Sequence, residues 1–160
     1  MTVKKTSRNR ESTGKPNPPH RILVVDDNED VRRLNTEVLA NSGFTVDAAA
    51  DGAVAWNALR LNDYDLLLTD HGMPPVNGLH LVKKLRAARM AMPVIMVSGM
   101  EPAKELRRHP WLQIDATLLK PYTPGELLAT VRNVLYAPGD TAGPAGPFSL
   151  KSEPSNNSPL

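Results

Sequence analysis

Five polar side chains fall where short apolar runs end: Asp26 and Asp27 after Ile22-Leu23-Val24-Val25, Asp70 after Leu66-Leu67-Leu68-Thr69, Ser98 after Val94-Ile95-Met96-Val97, and Lys120 after Ala116 to Leu119. Their spacing is the clue to chemistry. Three carboxylates gathered in one place repel one another and raise each other's pKa unless a cation lies between them. Mg²⁺ suits such a site, because it takes carboxylate, carbonyl and water oxygens in an octahedron and keeps several waters. Lys120 adds a point positive charge and Ser98 a hydroxyl donor, which are the parts that the oxygens of a transferred phosphoryl group require. Taken singly, each residue reads as a turn, a cap or a solvated charge. Together, at four strand ends, they read as a phosphoryl-transfer site with Asp70 as the nucleophile, since carboxylates do accept phosphoryl groups as acyl phosphates.

For these residues to converge, the runs must be parallel strands of one sheet with their carboxyl ends on a common edge, where ligands bind at the switch in strand order. The rest of the pattern fits. From residue 21 onward, apolar runs alternate with amphipathic stretches, the mark of βα units and a sheet buried on both faces. Asn28 is placed as an N-cap with Glu29 and Asp30 in the first turn. Val31, Leu34, Val38 and Leu39 follow at helical spacing, and Asn41-Ser42-Gly43 stops that helix. Thr45 to Ala49 is a short strand, and Asp51 caps a helix whose buried stripe is expected to be Val54, Ala55, Ala58 and Leu59. The prolines and glycines of residues 71–78 exclude helix there. Leu79, Leu81, Val82 and Leu85 mark a third helix, with Lys83, Lys84, Arg86 and Arg89 expected on its wet side. Residues 101–109 allow one short helix before Pro110, and Pro124 to Leu135 make the last. The expected fold is α/β: a doubly wound, five-stranded parallel sheet flanked by five helices.

Composition bounds the rest. A chain of 160 residues, 41% apolar and 22% charged, suffices for one domain with tails. The expected division is a basic disordered tail at 1–19, a folded domain at 20–137, and a disordered tail rich in Pro, Gly and Ser at 138–160. Without cysteine there is no disulfide, thiolate metal site or thiol nucleophile. No secretory signal and no run of about 20 apolar residues is found, so a soluble, cytoplasmic protein is expected. The net charge of +2 is unevenly spread. Residues 1–20 carry Lys4, Lys5, Arg8, Arg10 and Lys15 against Glu11, whereas the folded part is nearly neutral. Nucleic acid is therefore not the expected partner of the folded domain, although a basic tail leaves it open as an added activity.

At this point the chain resembles the receiver domains of bacterial two-component response regulators. The resemblance covers about residues 21–136 and rests on Ile22 to Asn28, on Leu66 to Asp70 followed by Met73-Pro74 and Gly78, on Val97-Ser98-Gly99, and on Lys120-Pro121-Tyr122. It implies that Asp70 is the phosphoacceptor and that Asp27, Asp70 and the Gly72 carbonyl ligate Mg²⁺, with Asp26 acting through water. It implies further that Ser98 closes on the phosphoryl oxygen, that Lys120 is its ion-pair partner, and that the peptide before Pro121 is cis. The partners so implied are a sensor histidine kinase or phosphotransfer protein and a downstream protein target, with the domain a monomer or a weak phosphorylation-dependent dimer. The chain itself would be no enzyme beyond its own phosphorylation and dephosphorylation, and the short segment after Ala137 would hold no output domain. Two positions differ from the family pattern. Thr117 stands three residues before Lys120, where Tyr or Phe is usual, and Asn35 stands at a helix 1 position that is often apolar and used for kinase docking. A phosphohydrolase with an Asp nucleophile is the alternative class, but such enzymes resemble Asp-x-Asp after the first strand, which Asp26-Asp27-Asn28 does not supply. Among the remaining candidates, His71 is expected to be an exposed loop residue, Trp56 to fill the core, and Trp111 to cover the sheet edge or to anchor a partner. His20, His80 and His109 share no metal-ligand spacing.

Overall fold

The computed structural model describes residues 19–73, 76–100 and 103–136. The two expected tails, Pro19 aside, lie outside the described residues. Along the chain run β1 (Arg21–Val25), α1 (Glu29–Asn41), β2 (Thr45–Ala49), α2 (Gly52–Leu61), β3 (Leu66–Asp70), α3 (Gly78–Ala87), β4 (Val94–Ser98), α4 (Ala103–Arg108), a 3₁₀ turn (Pro110–Leu112), β5 (Ala116–Leu119) and α5 (Pro124–Leu135). The five strands form one parallel sheet in the order β2-β1-β3-β4-β5. The chain reverses its direction of winding between β1 and β3. This is the switch point at which a doubly wound sheet opens a crevice at its carboxyl edge.

Strands β3 and β4 are buried along their whole length, which is why they read as unbroken apolar runs. Alternate residues feed two cores. Leu23, Val25, Leu67 and Met96 pack toward α2 and α3, while Ile22, Val24, Leu68 and Ile95 pack toward α1 and α5. The helices are capped as their sequences require. Asn28, Asp51 and Asn77 each accept backbone N–H groups of the following turn, and Thr123 with Glu126 closes a full capping box on α5. Among the described residues no helix is long and apolar enough to cross a membrane.

Several expectations are corrected. Leu34 is 53% exposed, and its neighbour Asn35 turns inward with 3% exposure. Val54 is likewise exposed, so the buried stripe of α2 is carried by Ala55 and Leu59. Trp56 packs against the core only in part, with the Lys84 ammonium 5.2 Å from its ring centre. Trp111 is half-exposed beside His109, and it is Leu112 that enters the core from this turn. Arg86 is partly buried: its guanidinium donates to the carbonyls of Leu112, Met90, Met92 and Gln113 at 2.8 to 3.0 Å, fastening α3 to the chain on either side of β4. The short fourth helix spans Ala103–Arg108, and Glu101 lies outside the described residues.

Candidate functional site

β1 ends in two successive carboxylates that part company. Asp26 is 2% exposed and its Oδ1 accepts the Asn28 N–H at 2.9 Å, whereas Asp27 is exposed. Asn28 then starts α1, so the turn from strand to helix presents both acids at the sheet's edge. Asp70, at the end of the central strand, is 6% exposed. One carboxylate oxygen from each of Asp26, Asp27 and Asp70 lies within 4.8 Å of the others. Gly78 opens α3 directly beneath, where any Cβ would run into the Asp70 carbonyl oxygen. Gly72 lies exposed in the loop between Asp70 and Met73, and Met73 is buried and ties that loop to the core.

From the other side comes Lys120. Its backbone N–H bonds to the Ser98 carbonyl at 2.8 Å, the peptide to Pro121 is cis, and its Nζ lies 3.1 Å from Asp70 Oδ1. Ser98 is 4% exposed, with its hydroxyl donating to the Met100 carbonyl and accepting the Met100 N–H at 3.2 Å. All five side chains singled out in the sequence therefore converge on one end of the sheet, with Ser98 held in a bond to its own loop.

The electrostatics follow from the crowding. Burial pushes the Asp26 carboxyl above its ordinary range; the Asn28 N–H and Lys120 oppose this, and the charges of Asp70 and Asp27 add to it. Burial would lower Lys120, but the hydrogen bond and charge of Asp70, with Asp26 behind it, hold the ammonium above its usual value. Such a cluster is short of positive charge. Three carboxylate oxygens at this spacing are a hard, all-oxygen donor set, which fits a small divalent cation of the Mg²⁺ kind.

Two contributors were not legible as site residues. The amide of Asn35 faces the Tyr122 hydroxyl, with Nδ2 donating to it at 2.8 Å and Oδ1 3.1 Å away, across 87 positions of sequence. A buried Asn35 cannot serve as a docking surface, whereas its neighbour Leu34 is exposed. Arg32 Nη1 donates to the Asp26 carbonyl at 2.9 Å and steadies the turn that carries both acids. In the sequence Asn35 stands out only as a polar residue at a helix 1 position that is often apolar, and Arg32 carries no sign beyond its helical position. His71 is half-buried rather than exposed, because its N–H continues the ladder to the Val97 carbonyl at 2.8 Å and draws the residue into the sheet.

Comparison with known proteins points one way. The family model described as "Response regulator receiver domain" matches residues 22–132. The chain is 33% identical over 115 residues to the transcriptional regulatory protein CusR of Escherichia coli K12, covering 72% of this chain and 51% of that one. It spans about half the length of that relative and of the others like it. With the chemotaxis protein CheY homolog of Campylobacter jejuni it shares 37% identity over 119 residues, 72% of this chain and 92% of the relative. Among solved structures, the receiver protein of Pseudomonas putida superimposes with a TM-score of 0.68 at 31% identity, covering 74% of this chain and 99% of that one. CheY4 of Vibrio cholerae gives 0.69 at 27% identity, covering 73% and 99%.

Proposed function

The chain belongs to the response regulator receiver family, and from that premise we propose that Asp70 takes a phosphoryl group from a histidine kinase or phosphotransfer protein in a reaction that depends on Mg²⁺. Receiver domains are signalling switches of two-component systems, and their partners are kinases or phosphotransfer proteins. The observation that carries the finer reading is the setting of Asp70. It stands on the middle strand between two acids on one side and the Lys120 ammonium on the other.

In this reading a carboxylate oxygen of Asp70 attacks phosphorus and forms an acyl phosphate as the donor's P–N or P–O bond breaks. Lys120 is already paired with Asp70 and neutralises charge on the incoming group. Ser98 exchanges its bond to Met100 for one to a phosphoryl oxygen. Asp27, Asp70 and the Gly72 carbonyl would hold the Mg²⁺, and Asp26 would act on it through water. When bound, the ion supplies charge neutralisation for the phosphoryl oxygens. The chain turns over no other substrate, acts in the cytoplasm and signals by protein contact. A small phosphodonor such as phosphoramidate, with Mg²⁺, should label the wild type once, and Asp70→Asn or chelation should abolish the label. Labelling that survives in Asp70→Asn overturns the assignment.

A further inference from the structure

One buried polar contact beside the site has no part in the chemistry so far. Asn35 sits at 3% exposure on the face of α1 that packs against α5, among side chains such as Leu39 and Val131 that are wholly apolar. A buried amide costs stability unless it is bonded, and here its partner is the Tyr122 hydroxyl. Tyr122 follows the cis Lys120-Pro121 peptide directly, so the bond ties α1 to the turn from which Lys120 projects. Tyr122 is also within electrostatic reach of the cluster. Burial raises its hydroxyl above the ordinary value and the Asn35 bond opposes this, while Asp26 and Asp70 push it up and Lys120 pulls it down. Arg32, one turn before Thr36 on the same helix, holds the Asp26 carbonyl. One helix thus grips both sides of the site: the acid turn through Arg32 and the lysine turn through Asn35.

We propose that Asn35 and Tyr122 are a positioning pair for Lys120, whose bond fixes the ammonium over Asp70 and so sets the rate of phosphoryl transfer without setting the affinity for Mg²⁺. The inference rests on Asp70 being the phosphoacceptor. A hydroxyl-to-amide bond is directional, which a Phe against Leu contact is not. Replacing both partners by apolar residues of similar shape therefore keeps the packing and removes the orientation. A purely structural contact and a positioning one separate at that substitution.

The experiment compares wild type, Tyr122→Phe, Asn35→Leu with Tyr122→Phe, Lys120→Ala, and Lys120→Ala with Tyr122→Phe. Each is measured for urea stability, Mg²⁺ affinity by calorimetry, and rate of labelling by phosphoramidate at saturating Mg²⁺. Tyr122→Phe should slow labelling about tenfold, the scale of a displaced charged group in a preorganised site. Mg²⁺ affinity should stay within about twofold, since the pair touches no carboxylate. The Asn35→Leu, Tyr122→Phe variant should regain stability yet remain slow, and Tyr122→Phe should add nothing to Lys120→Ala. Recovery of the wild-type rate in the apolar pair would overturn the proposal, and so would a further tenfold loss in the Lys120→Ala background. Should the apolar pair fail to fold, the cycle with Lys120→Ala decides alone. Labelling of an Asp70→Asn control instead overturns the phosphoacceptor reading, which is a separate result.

Discussion

Asp26→Asn should stabilise the metal-free protein while weakening its hold on Mg²⁺. Asp26 is buried, with oxygens of Asp27 and Asp70 within 4.8 Å of its own. At that separation each like-charge pair is worth about 1 to 3 kcal/mol between water-like and protein-surface screening. Asp27 is exposed and belongs at the low end, and Lys120 offsets part of the repulsion. A net gain of about 1 to 2 kcal/mol remains, near 4 to 8 °C in melting temperature for a domain of this size. The amide oxygen can still accept the Asn28 N–H, so no cap bond is lost. The dependence on pH has a fixed sign. A carboxyl raised on folding contributes stability that is present below its unfolded value near 3.8 and is lost as pH rises through the folded one. At neutral pH the wild type has lost that contribution, and Asn, which cannot ionise, has not. The gap in favour of Asp26→Asn should therefore be full at pH 7 and shrink as pH falls toward 4. Saturating Mg²⁺ should close it from the other direction by stabilising the wild type more. Urea melts at several pH values, with and without Mg²⁺, measure all of this. A variant less stable than wild type at pH 7 without Mg²⁺, or a gap indifferent to pH, would refute the reasoning.

Lys120→Met should leave Mg²⁺ binding intact or tighter, because the ammonium repels the ion, while labelling and the response to beryllofluoride weaken; loss of Mg²⁺ binding in a titration would contradict this. Arg86→Met strands four backbone carbonyls that the guanidinium now satisfies, and it should lower stability by about 2 to 3 kcal/mol, discounted for partial exposure, with labelling of the folded fraction unchanged. A loss of unfolding free energy below half that amount in urea melts would show the contacts to be incidental. Trp111 fluorescence should change on adding beryllofluoride with Mg²⁺, persist in Thr117→Ala, and vanish in Asp70→Asn; its disappearance in Thr117→Ala with normal labelling would make Thr117 the coupling residue.

What the sequence made legible, it made legible through runs and ends. β3 and β4 are sealed on both faces, so their apolar runs are continuous and the residues that follow them stand out. Asn28 and Asp51 announce helices because their caps are local. The failures share a cause. Leu34 fits a buried stripe by spacing, but Asn35 takes the inward place because its partner Tyr122 lies 87 positions away, where no periodicity can reveal it. Arg86 reads as one more cation on a wet helix face, and only folding brings Leu112 and Gln113 to its fork. Polar residues used inside a fold carry no pattern of their own.

The same limit governs how the signal leaves the site. An aromatic ring three residues before Lys120 would offer volume to follow Ser98 inward, but Thr117 is small and exposed. The Ser98 hydroxyl is instead bonded twice to the backbone of Met100, so turning it toward a phosphoryl oxygen must release both bonds. Met100 is already 80% exposed, and in the ladder Ser98 faces Leu119, itself 47% exposed on the outermost strand. Freeing the Gly99-Met100 loop therefore acts where two large apolar side chains already meet solvent, and a small backbone shift there alters an exposed surface without any ring having to move. In a receiver built this way, the expected output is a shift of the Gly99-Met100 loop once Ser98 is drawn toward the phosphoryl group.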